Sequence, residues 1–372
     1  MSEHAGDVRV AVVGGSIAGL CTSLLLERLG VALRLFEARG PDAWPSGGGL
    51  GFDPDLVAAV TGQPPVSLPH VILRERQVLS AGRSSREPVA MPVTVGHLLR
   101  RHLASFLGAG VMEAPAEVTG VTLVDGAKAA EVEIGGERRE VFDLVLGADG
   151  ARSRLRDLVV GGASAPEYAG YVQWRGLVPE AALDDETRAV FFEPARLTVA
   201  PHPRQLFVAY PVPGPAGEVE AGARRLSWGW FYGATRERVE GLPPALTGSQ
   251  VPAELVGEAE RFASKLWPAP VQAAIRASLE GGAAELRLVY ELAAPRLARG
   301  CVGLVGDAAH VISPVSGGGV RTAMYDSLLL ARLLVDAPDL LSGLAAFEVR
   351  RLPVIRALVE QGRSLAWGFR VD

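Results

Sequence analysis

Continuous apolar runs bounded by glycine recur near both ends of the sequence. The first run, Val8–Val13, is what a strand buried on both faces requires. Apolar residues at helical spacing follow from Ile17 to Leu25, and Gly30 is well placed to end that helix. A second short strand is predicted at 32–36. The pattern therefore predicts a βαβ unit in the first forty residues.

The pattern changes between about 166 and 290, where aromatic residues concentrate and alternate with polar ones. Alternation between turns rich in proline and glycine is typical of antiparallel strands. The other predicted elements are a loop at 41–51, a helix at 98–107, a hairpin of 118–124 and 129–134, buried strands at 141–146 and 302–305, a helix after Gly317–Gly319, and a helical tail from about 340.

These elements predict an α/β fold with a discontinuous layout. A Rossmann-like nucleotide-binding domain is formed by 1–65, 95–165 and 291–372, and it ends in helices packed on the outside. A mainly antiparallel β domain, made of 66–94 and 166–290, is inserted into it and carries the substrate pocket. No internal repeat and no low-complexity segment interrupts this organisation.

Composition and charge exclude several classes of function. The 372 residues are 48% hydrophobic and 21% charged, which is ordinary for a globular protein. The net charge of −5 and the lack of a basic cluster argue against nucleic-acid binding. No apolar run reaches the ~18 residues that span a bilayer. Residues 1–7 are polar and do not resemble a signal peptide, so we expect a cytoplasmic protein without a membrane partner.

Cysteine and histidine usage argues against disulfides and metals. The two cysteines, Cys21 and Cys301, fall on the first predicted helix and beside the strand at 302–305. We expect both to be small buried hydrophobic residues. The six histidines are scattered without the spacing of metal ligands, so no metal site is expected.

The first candidate site is the turn after the first strand. Its spacing is Gly14-x-Ser16-x-x-Gly19, in which serine replaces the middle glycine of the dinucleotide fingerprint. Glycine allows a pyrophosphate to approach the helix N-terminus, and the Ser16 hydroxyl can donate to a phosphate oxygen. The alternative is a βα turn with no ligand. The candidate cofactor contacts here are Gly14, Ser16, Ile17 and Ala18 at the turn, and Glu37, Ala38 and Arg39 at the end of the second strand, where a carboxylate can accept from ribose hydroxyls.

The second candidate site follows the late buried strand. Asp307 comes after Gly306, at the strand end where ligands of open α/β sheets bind, and its carboxylate suits the hydroxyls of a ribityl chain. Pro314 and Gly317–Gly319 then precede a helix that starts near Val320. Backbone amides at a helix N-terminus carry partial positive charge and would stabilise a reduced flavin. The alternative for Gly317, Gly318 and Gly319 is a flexible loop.

A third motif lies between these two. Asp149 follows a buried strand, and Arg156 comes seven residues later. Cofactor contact and a purely structural role, in which Asp149 caps the next turn and Arg156 bridges elements, are equally open.

Three motifs in this order resemble a known family, the single-component flavin hydroxylases related to p-hydroxybenzoate hydroxylase. They are Gly-x-Ser-x-x-Gly at 14–19, Gly-Ala-Asp-Gly-x-x-Ser-x-x-Arg at 147–156 and Gly-Asp-Ala-Ala-His at 306–310. The resemblance implies an FAD-binding domain of the glutathione reductase type. It also implies NAD(P)H as reductant, O2, and hydroxylation of an aromatic or heteroaromatic ring through a flavin C4a-hydroperoxide. Many relatives have an arginine where this chain has 95–97, Val-Gly-His.

The reductant is expected to bind only transiently, because the sequence lacks a second glycine-rich strand-turn-helix unit. Gly49 lies in the loop 47–51, which could let the flavin swing between positions. An ordinary surface loop is the alternative.

The substrate pocket is expected to be apolar and aromatic, because such a lining keeps water away from the oxygenating flavin. Trp228, Trp230 and Tyr232 alternate on one strand and are candidate pocket residues, with a sheet core as the alternative. The candidate catalytic residues are Tyr210, which could help to deprotonate a ring hydroxyl, His310, which could instead be structural, and Pro314.

Other functions remain open at this point. Trp228-Gly-Trp230 resembles the Trp-x-Trp of flavin-dependent halogenases, but Phe231-Tyr232 follows where Ile-Pro is expected. Another FAD oxidoreductase, or a non-catalytic flavin-binding protein, would also satisfy the motifs. The expected partners are a small aromatic substrate and O2, and a homodimer is left open.

Overall fold

The computed structural model describes residues 8–44, 47–80 and 83–371. Residues 45–46 of the predicted loop, and the polar residues 1–7, lie outside the described residues. The helices are α1 Ile17–Arg28, α2 Pro54–Thr61, α3 Gly96–Ala104, α4 Arg154–Val160, α5 Asp185–Phe191, α6 Arg236–Val239, α7 Ala253–Leu266, α8 Ala269–Glu280, α9 Gly319–Asp336 and α10 Leu340–Ala366. The strands are β1 Arg9–Val13, β2 Ala32–Phe36, β3 Gly49–Gly51, β4 Val71–Ser80, β5 Arg83–Val95, β6 Met112–Glu113, β7 Val118–Val124, β8 Ala129–Ile134, β9 Arg138–Phe142, β10 Leu144–Gly147, β11 Glu167–Pro179, β12 Arg196–His202, β13 Gln205–Val212, β14 Arg225–Gly233, β15 Ala245–Thr247, β16 Ala284–Ala293, β17 Ala298–Arg299, β18 Val302–Leu304 and β19 His310–Val311.

A mostly parallel sheet forms the centre of the first domain. Its strand order is β17-β18-β10-β1-β2-β6, and β18, β10, β1, β2 and β6 are parallel. The apolar runs that predicted β1 and β18 are buried, as expected of strands covered on both faces. Helices α1 and α9 pack against each other, with the Thr22 hydroxyl donating to Ser327 Oγ at 2.9 Å. The predicted βαβ unit and the α/β class are confirmed.

The strand predicted at 141–146 is divided between two sheets. Phe142 ends β9 in the three-stranded sheet β7-β8-β9, and Leu144 begins β10 in the parallel sheet. Asp143 makes the crossing, because its backbone N–H donates to Arg9 O at 2.9 Å and its carboxylate accepts from Arg9 N at 2.8 Å. The hairpin predicted at 118–124 and 129–134 is confirmed.

A ten-stranded sheet forms the second domain, in the order β15-β16-β11-β14-β13-β12-β4-β5-β3 with β19 paired to β16. One side, here called the back face, packs against α5, α7 and α8 in a core that contains Phe207, Trp230 and Trp267. These helices were not predicted from the sequence. The opposite side, the front face, carries the side chains of Tyr210 and Ser227, register partners that lie against Gly49.

Strand β3 lies inside the predicted loop and pairs with the end of β5, with Gly49 opposite Val95. An edge strand of the large sheet thus comes from the segment 1–65, which the sequence assigned to the nucleotide-binding domain. The exact partition into domains stays a prediction.

Both cysteines are free and buried. Within the described residues, no group of three or more histidine, cysteine, aspartate or glutamate side chains could hold a metal ion. Among those same residues, no helix is both long enough and apolar enough to cross a bilayer.

A buried charge cluster joins α9, α10 and the segment after β18. The fully buried Asp326 accepts from His310 Nε2 at 2.6 Å, from Gly306 N at 2.9 Å and from Arg351 Nε at 2.5 Å. Burial alone would lower the pKa of His310. The charge and the hydrogen bond of Asp326 raise this pKa by more than burial lowers it, so the net shift is upward. The same partners hold the pKa of Asp326 below its usual range, against the effect of its burial.

Replacing Asp326 should destabilise the whole domain, because Asp326→Asn leaves the buried Arg351 guanidinium without its counter-charge. We expect a loss of about 3–5 kcal/mol in the free energy of unfolding, measured by urea denaturation near neutral pH. Asp336→Asn on the same helix is the matched control, since Asp336 is exposed and pairs with the exposed Arg332 four residues away. Equal, small effects of the two substitutions would contradict this role for Asp326.

Candidate functional site

The three sequence motifs meet at one edge of the parallel sheet. Strands β1, β10 and β18 are neighbours, with Val13 opposite Gly147 and Gly147 opposite Leu304. Each motif follows the carboxyl end of one of these strands, and adjacent strands are about 4.8 Å apart. The motifs therefore border a common recess at the edge where ligands of open α/β sheets bind.

The first turn is shaped by close backbone packing. Gly14 has φ +104°, and a Cβ there would lie 2.5 Å from the carbonyl oxygen of Ala148. A Cβ on Gly19 would lie 1.9 Å from Gly14 O. Ser16 is the N-cap of α1, and its Oγ accepts from Gly19 N at 3.2 Å. Serine is thus tolerated at the middle position because its side chain caps the helix.

Glu37 supports this turn from the end of β2. Its carboxylate accepts from Gly15 N at 2.5 Å and from Arg39 N at 2.9 Å. A carboxylate offers about four acceptor positions, so the two remaining ones can still bind ribose hydroxyls. Ala38 and Arg39 are exposed beside it.

Sequence reasoning missed Arg100 on α3, which the structure brings near Glu37. Burial lowers the pKa of Arg100, while the charge of Glu37 opposes that effect. Its guanidinium lies 5.1 Å from the centre of the Trp44 ring. No local pattern linked α3 to the end of β2, so the sequence carried no signal for this contact.

Asp307 lies at the late motif, where the turn packs directly on helix α1. A Cβ on Gly306, which has φ +59°, would lie 2.5 Å from Ala18 Cβ. The Asp307 side chain is exposed towards the recess and enclosed by protein on its other sides, and this enclosure raises its pKa. Among the described residues, its carboxylate oxygens have no hydrogen-bond donor, so they are free to accept from a ligand.

The two charged residues of the middle motif bind backbone groups beside the site. Arg156 is buried and donates to the carbonyl oxygens of Ser164, Ala151 and Ala308 at 2.6, 2.7 and 3.2 Å. Asp149 Oδ2 accepts from Arg154 N at 2.9 Å at the start of α4, and burial raises the pKa of Asp149. Both residues thus have the structural role that the sequence left open, although Asp149 Oδ1 is buried without a partner among the described residues.

The N-terminus of α9 presents backbone without side chains. Gly317 has φ +61°, and a Cβ on Gly317 or Gly319 would find no atom within 4 Å. Gly318, the N-cap, makes no side-chain cap, so the first amides of this 18-residue helix are open to a ligand. Pro314 is exposed and Val320 half-buried beside them. The loop is tied to the large sheet by a hydrogen bond between the hydroxyls of Ser313 and Tyr171.

Together these residues fit an FAD molecule. A glycine turn at a helix N-terminus suits the diphosphate, and Glu37 and the unpartnered Asp307 suit the sugar and ribityl hydroxyls. The unobstructed amides at the start of α9 suit the electron-rich edge of the ring.

The front face of the large sheet lies beside the same recess. A Cβ on Gly49 would lie 2.7 Å from Tyr210 Cε2 and 2.8 Å from Ser227 Oγ, and Gly49 N donates to Ser227 Oγ at 3.0 Å. Enclosure by protein raises the pKa of Tyr210 to about 12. A phenol with that pKa stays protonated at neutral pH, so Tyr210 can donate a hydrogen bond but is a poor base.

Three aromatic candidates lie on the other side of this sheet. Trp228 and Trp230 are 2% and 1% exposed and point into the back-face core. Tyr232 shares their face, and its hydroxyl accepts from Trp174 Nε1 at 3.1 Å. Because side chains alternate along a strand, these residues cannot share a face with Tyr210, whose register partner is Ser227. These three residues therefore lie in the core of the sheet, which was the alternative, and not in the substrate pocket.

The position of His310 also argues against a catalytic role. It is fully buried, and its Nε2 is held by Asp326. A side chain enclosed in this way supports the turn after β18 and does not reach a ring substrate. The front face instead presents Arg175 and Glu285, which the sequence analysis missed. The alternation around Trp174 could have revealed them, because it places Arg175 opposite the tryptophan side.

Comparison with known proteins agrees with this geometry. Residues 286–362 match a family described as FAD binding domain, and residues 168–250 match one described as FAD binding domain-like. The chain is 25% identical to 2,6-dihydroxypyridine 3-monooxygenase of Paenarthrobacter nicotinovorans, over 96% of this chain and 90% of the relative.

Solved structures share the whole fold. That of 2,6-dihydroxypyridine-3-hydroxylase from Arthrobacter nicotinovorans has a TM-score of 0.86 at 23% identity, covering 98% of this chain and 93% of the other. The Klebsiella pneumoniae protein HpxO, complexed with FAD and uric acid, has a TM-score of 0.77 at 22% identity, covering 97% and 88%. The segments 168–176 and 209–214 of this chain also carry the likeness to the dihydroxypyridine enzyme. The motif order, the recess and these relatives show that this chain is similar in sequence and fold to FAD-dependent aromatic-ring hydroxylases of the p-hydroxybenzoate hydroxylase type.

Proposed function

We propose that the protein hydroxylates a heteroaromatic ring that already carries a hydroxyl group, such as a hydroxypyridine. The observation that carries this substrate class is Tyr210 on the front face, a phenol whose ring edge lies against Gly49. The similarity to 2,6-dihydroxypyridine 3-monooxygenase supports it. We also propose a cytoplasmic location, which two free, buried cysteines support.

Bound FAD would supply the redox chemistry, taking electrons from NAD(P)H and activating O2 for transfer of one oxygen atom to the ring. Gly14, Ser16 and Glu37 would hold its nucleotide part, and Asp307 and the amides of α9 its ribityl and ring parts. We propose that Pro314, at the rim of the same loop, borders the ring site.

The side chains of the front face orient the substrate and exclude water. Tyr210 in its neutral form donates a hydrogen bond to a ring oxygen, which favours the electron-rich form of the ring. The half-buried register partners Val199 and Val208 supply apolar surface on the same face. This role differs from the base that the sequence suggested, because the pKa of Tyr210 is raised and not lowered.

Turnover tests the proposed function directly. We expect the FAD-loaded protein to oxidise NADH or NADPH slowly, and faster with a hydroxypyridine, giving a product that is one oxygen atom heavier by mass spectrometry. If no ring compound accelerates the oxidation, hydroxylation is wrong. A product that contains chlorine and needs chloride would instead support a halogenase.

The role of Tyr210 predicts a selective defect. Tyr210→Phe should lower kcat/KM for the ring substrate by about tenfold, as expected for the loss of one hydrogen bond, with FAD affinity unchanged. The shape of the pH profile should not change between about pH 6 and 9, because a hydroxyl with pKa about 12 does not titrate there. Tyr325→Phe, on an exposed residue of α9, is the control. An ionisation that is present in the wild type and absent in Tyr210→Phe would show that Tyr210 is a base.

The first turn predicts a defect in cofactor binding. Gly14→Ala adds a Cβ that would lie 2.5 Å from a backbone oxygen at φ +104°, so the turn must shift. We expect FAD affinity, measured by flavin fluorescence quenching, to fall by at least about tenfold. Gly40→Ala is the matched control, because Gly40 has φ −60° and open space around its Cα. Equal FAD affinity in the two variants would argue against this turn as the diphosphate site.

A further inference from the structure

The segment after α10 lies on the front face of the large sheet. This segment, 367–371, is here called the tail, and it lies against β11 and β14. Trp367 is 81% exposed, whereas Phe369 is only 5% exposed, so the tail buries one of its two aromatic rings. The Phe369 ring lies edge-on to Tyr171 at 5.1 Å and stacks on Phe231 at 6.2 Å between ring centres. The tail thus covers one end of the front face.

Two glycines of the sheet leave room for the backbone of the tail. A Cβ on Gly233 would lie 2.2 Å from Phe369 O, and a Cβ on Gly170, which has φ +77°, would lie 2.2 Å from Val371 O. The carbonyl oxygen of Gly170 also accepts from Val371 N at 3.1 Å. A side chain at either glycine would displace the tail, because a close-packed interior has no space for the added atom. The backbone as well as Phe369 therefore fixes where the tail docks.

Tyr171 joins the tail to the turn before α9. Its hydroxyl forms a hydrogen bond with the Ser313 hydroxyl, and both side chains are buried. The Ser313 carbonyl oxygen in turn accepts from Ser316 N at 3.1 Å and from Ser316 Oγ at 2.8 Å. Val315 of the same turn packs against the apolar cluster that contains Tyr171 and Phe369. One hydrogen bond and one apolar contact therefore link the tail to this turn.

The turn at Ser313 leads into the first amides of α9. Gly317 N donates to Pro314 O at 3.1 Å, so the turn runs directly into the glycines before the helix. Gly317 and Gly319 have no side chains with which to fix their own position, and a Cβ on either would find no atom within 4 Å. Ser313 is backed by Gly362 of α10, where a Cβ would lie 2.9 Å from Ser313 Cβ. The position of these amides therefore depends on how Ser313 is held.

We propose that Tyr171 is a positioning residue for the flavin, and that the docked tail holds Tyr171 in place. Backbone donors stabilise a charge well only when the protein holds them at the right distance from it. Tyr171 does this by fixing Ser313, and with Ser313 the amides that suit the electron-rich edge of the ring. This inference rests on FAD binding in the recess and is independent of which ring compound is the substrate.

The flavin potential tests the proposal without any ring substrate. Tyr171→Phe keeps the aromatic ring and removes only the hydroxyl that binds Ser313. We expect the midpoint potential of the bound FAD, measured by dye-referenced reductive titration, to fall by about 30 mV. That shift corresponds to a tenfold smaller preference for the reduced form in a two-electron couple, as expected when helix amides move away from a charge. The visible circular dichroism of the flavin should change with it.

Tyr168→Phe is the matched control for this substitution. Tyr168 lies on the same strand and packs against the back-face core, and its hydroxyl donates to Ala234 O at 2.8 Å. It should lose a hydrogen bond of the same kind and leave the potential unchanged. If Tyr171→Phe lowers only the melting temperature, with potential and circular dichroism as in the wild type, its role is purely structural and the proposal is overturned.

Gly233→Ala tests the part of the tail. The added Cβ displaces the Phe369 carbonyl and alters neither Tyr171 nor the turn. We expect a shift in the same direction as in Tyr171→Phe, and a double variant that shifts no further than the larger single one, because both substitutions act through one contact. Trp367→Ala, on the exposed ring of the tail, should have no effect. A normal potential in Gly233→Ala would show that the tail does not position Tyr171.

Steady-state kinetics separate this inference from the proposed function. If both variants lower the potential but no ring compound accelerates NAD(P)H oxidation in the wild type, the positioning role stands and hydroxylation fails. If ring compounds are hydroxylated and neither variant changes the potential, the proposed function stands and this inference is wrong. A wild-type protein that takes up no FAD would overturn both.

Discussion

The adjacency of β1, β10 and β18 is the constraint on which the rest of the site depends. Parallel pairing brings the ends of three strands, separated by more than a hundred residues each, to one edge of the sheet. The turns after them then have to pack closely, as the contacts of Gly14 with Ala148 and of Gly306 with Ala18 demonstrate. A side chain at either glycine would push the turns apart. The recess is therefore a consequence of strand register, and its chemistry is set by the residues that follow each strand.

The second domain adds chemistry through the alternation of side chains on its large sheet. One face is sealed by α5, α7 and α8 over tryptophan and phenylalanine, so it contributes stability and no ligand contacts. The other face presents Tyr210, Arg175 and Glu285 towards the recess. A shift in strand register by one residue would exchange the two sets and put a hydrophobic core into water. The position of the polar groups is therefore fixed by the packing of the opposite face.

The sequence predicted the nucleotide-binding fold well because its information is local. Strand β2 and the hairpin of β7 and β8 have the predicted bounds. The sequence was a poor guide where the location of a side chain depends on which face of its strand is covered. Aromatic residues look alike in a pocket and in a core, so the sequence left both places open for Trp228 and Trp230, and α7 and α8, which cover them, were not foreseen. Arg100 was missed because no local pattern links α3 to the end of β2.

Completeness of hydrogen bonding separates the supporting charges from those that can bind a ligand. Arg156 donates from Nε, Nη1 and Nη2 to backbone oxygens, and Asp326 is surrounded by His310, Arg351 and a backbone amide, so both residues support the fold. Asp307 and Arg175 differ, because each keeps polar atoms without a partner among the described residues while the surrounding protein limits their contact with water. Leaving such atoms unpaired in a folded protein costs free energy, which a bound ligand would recover. Asp307 and Arg175 have opposite charge, and the Asp307 carboxylate suits the hydroxyls of the cofactor that we propose in this recess.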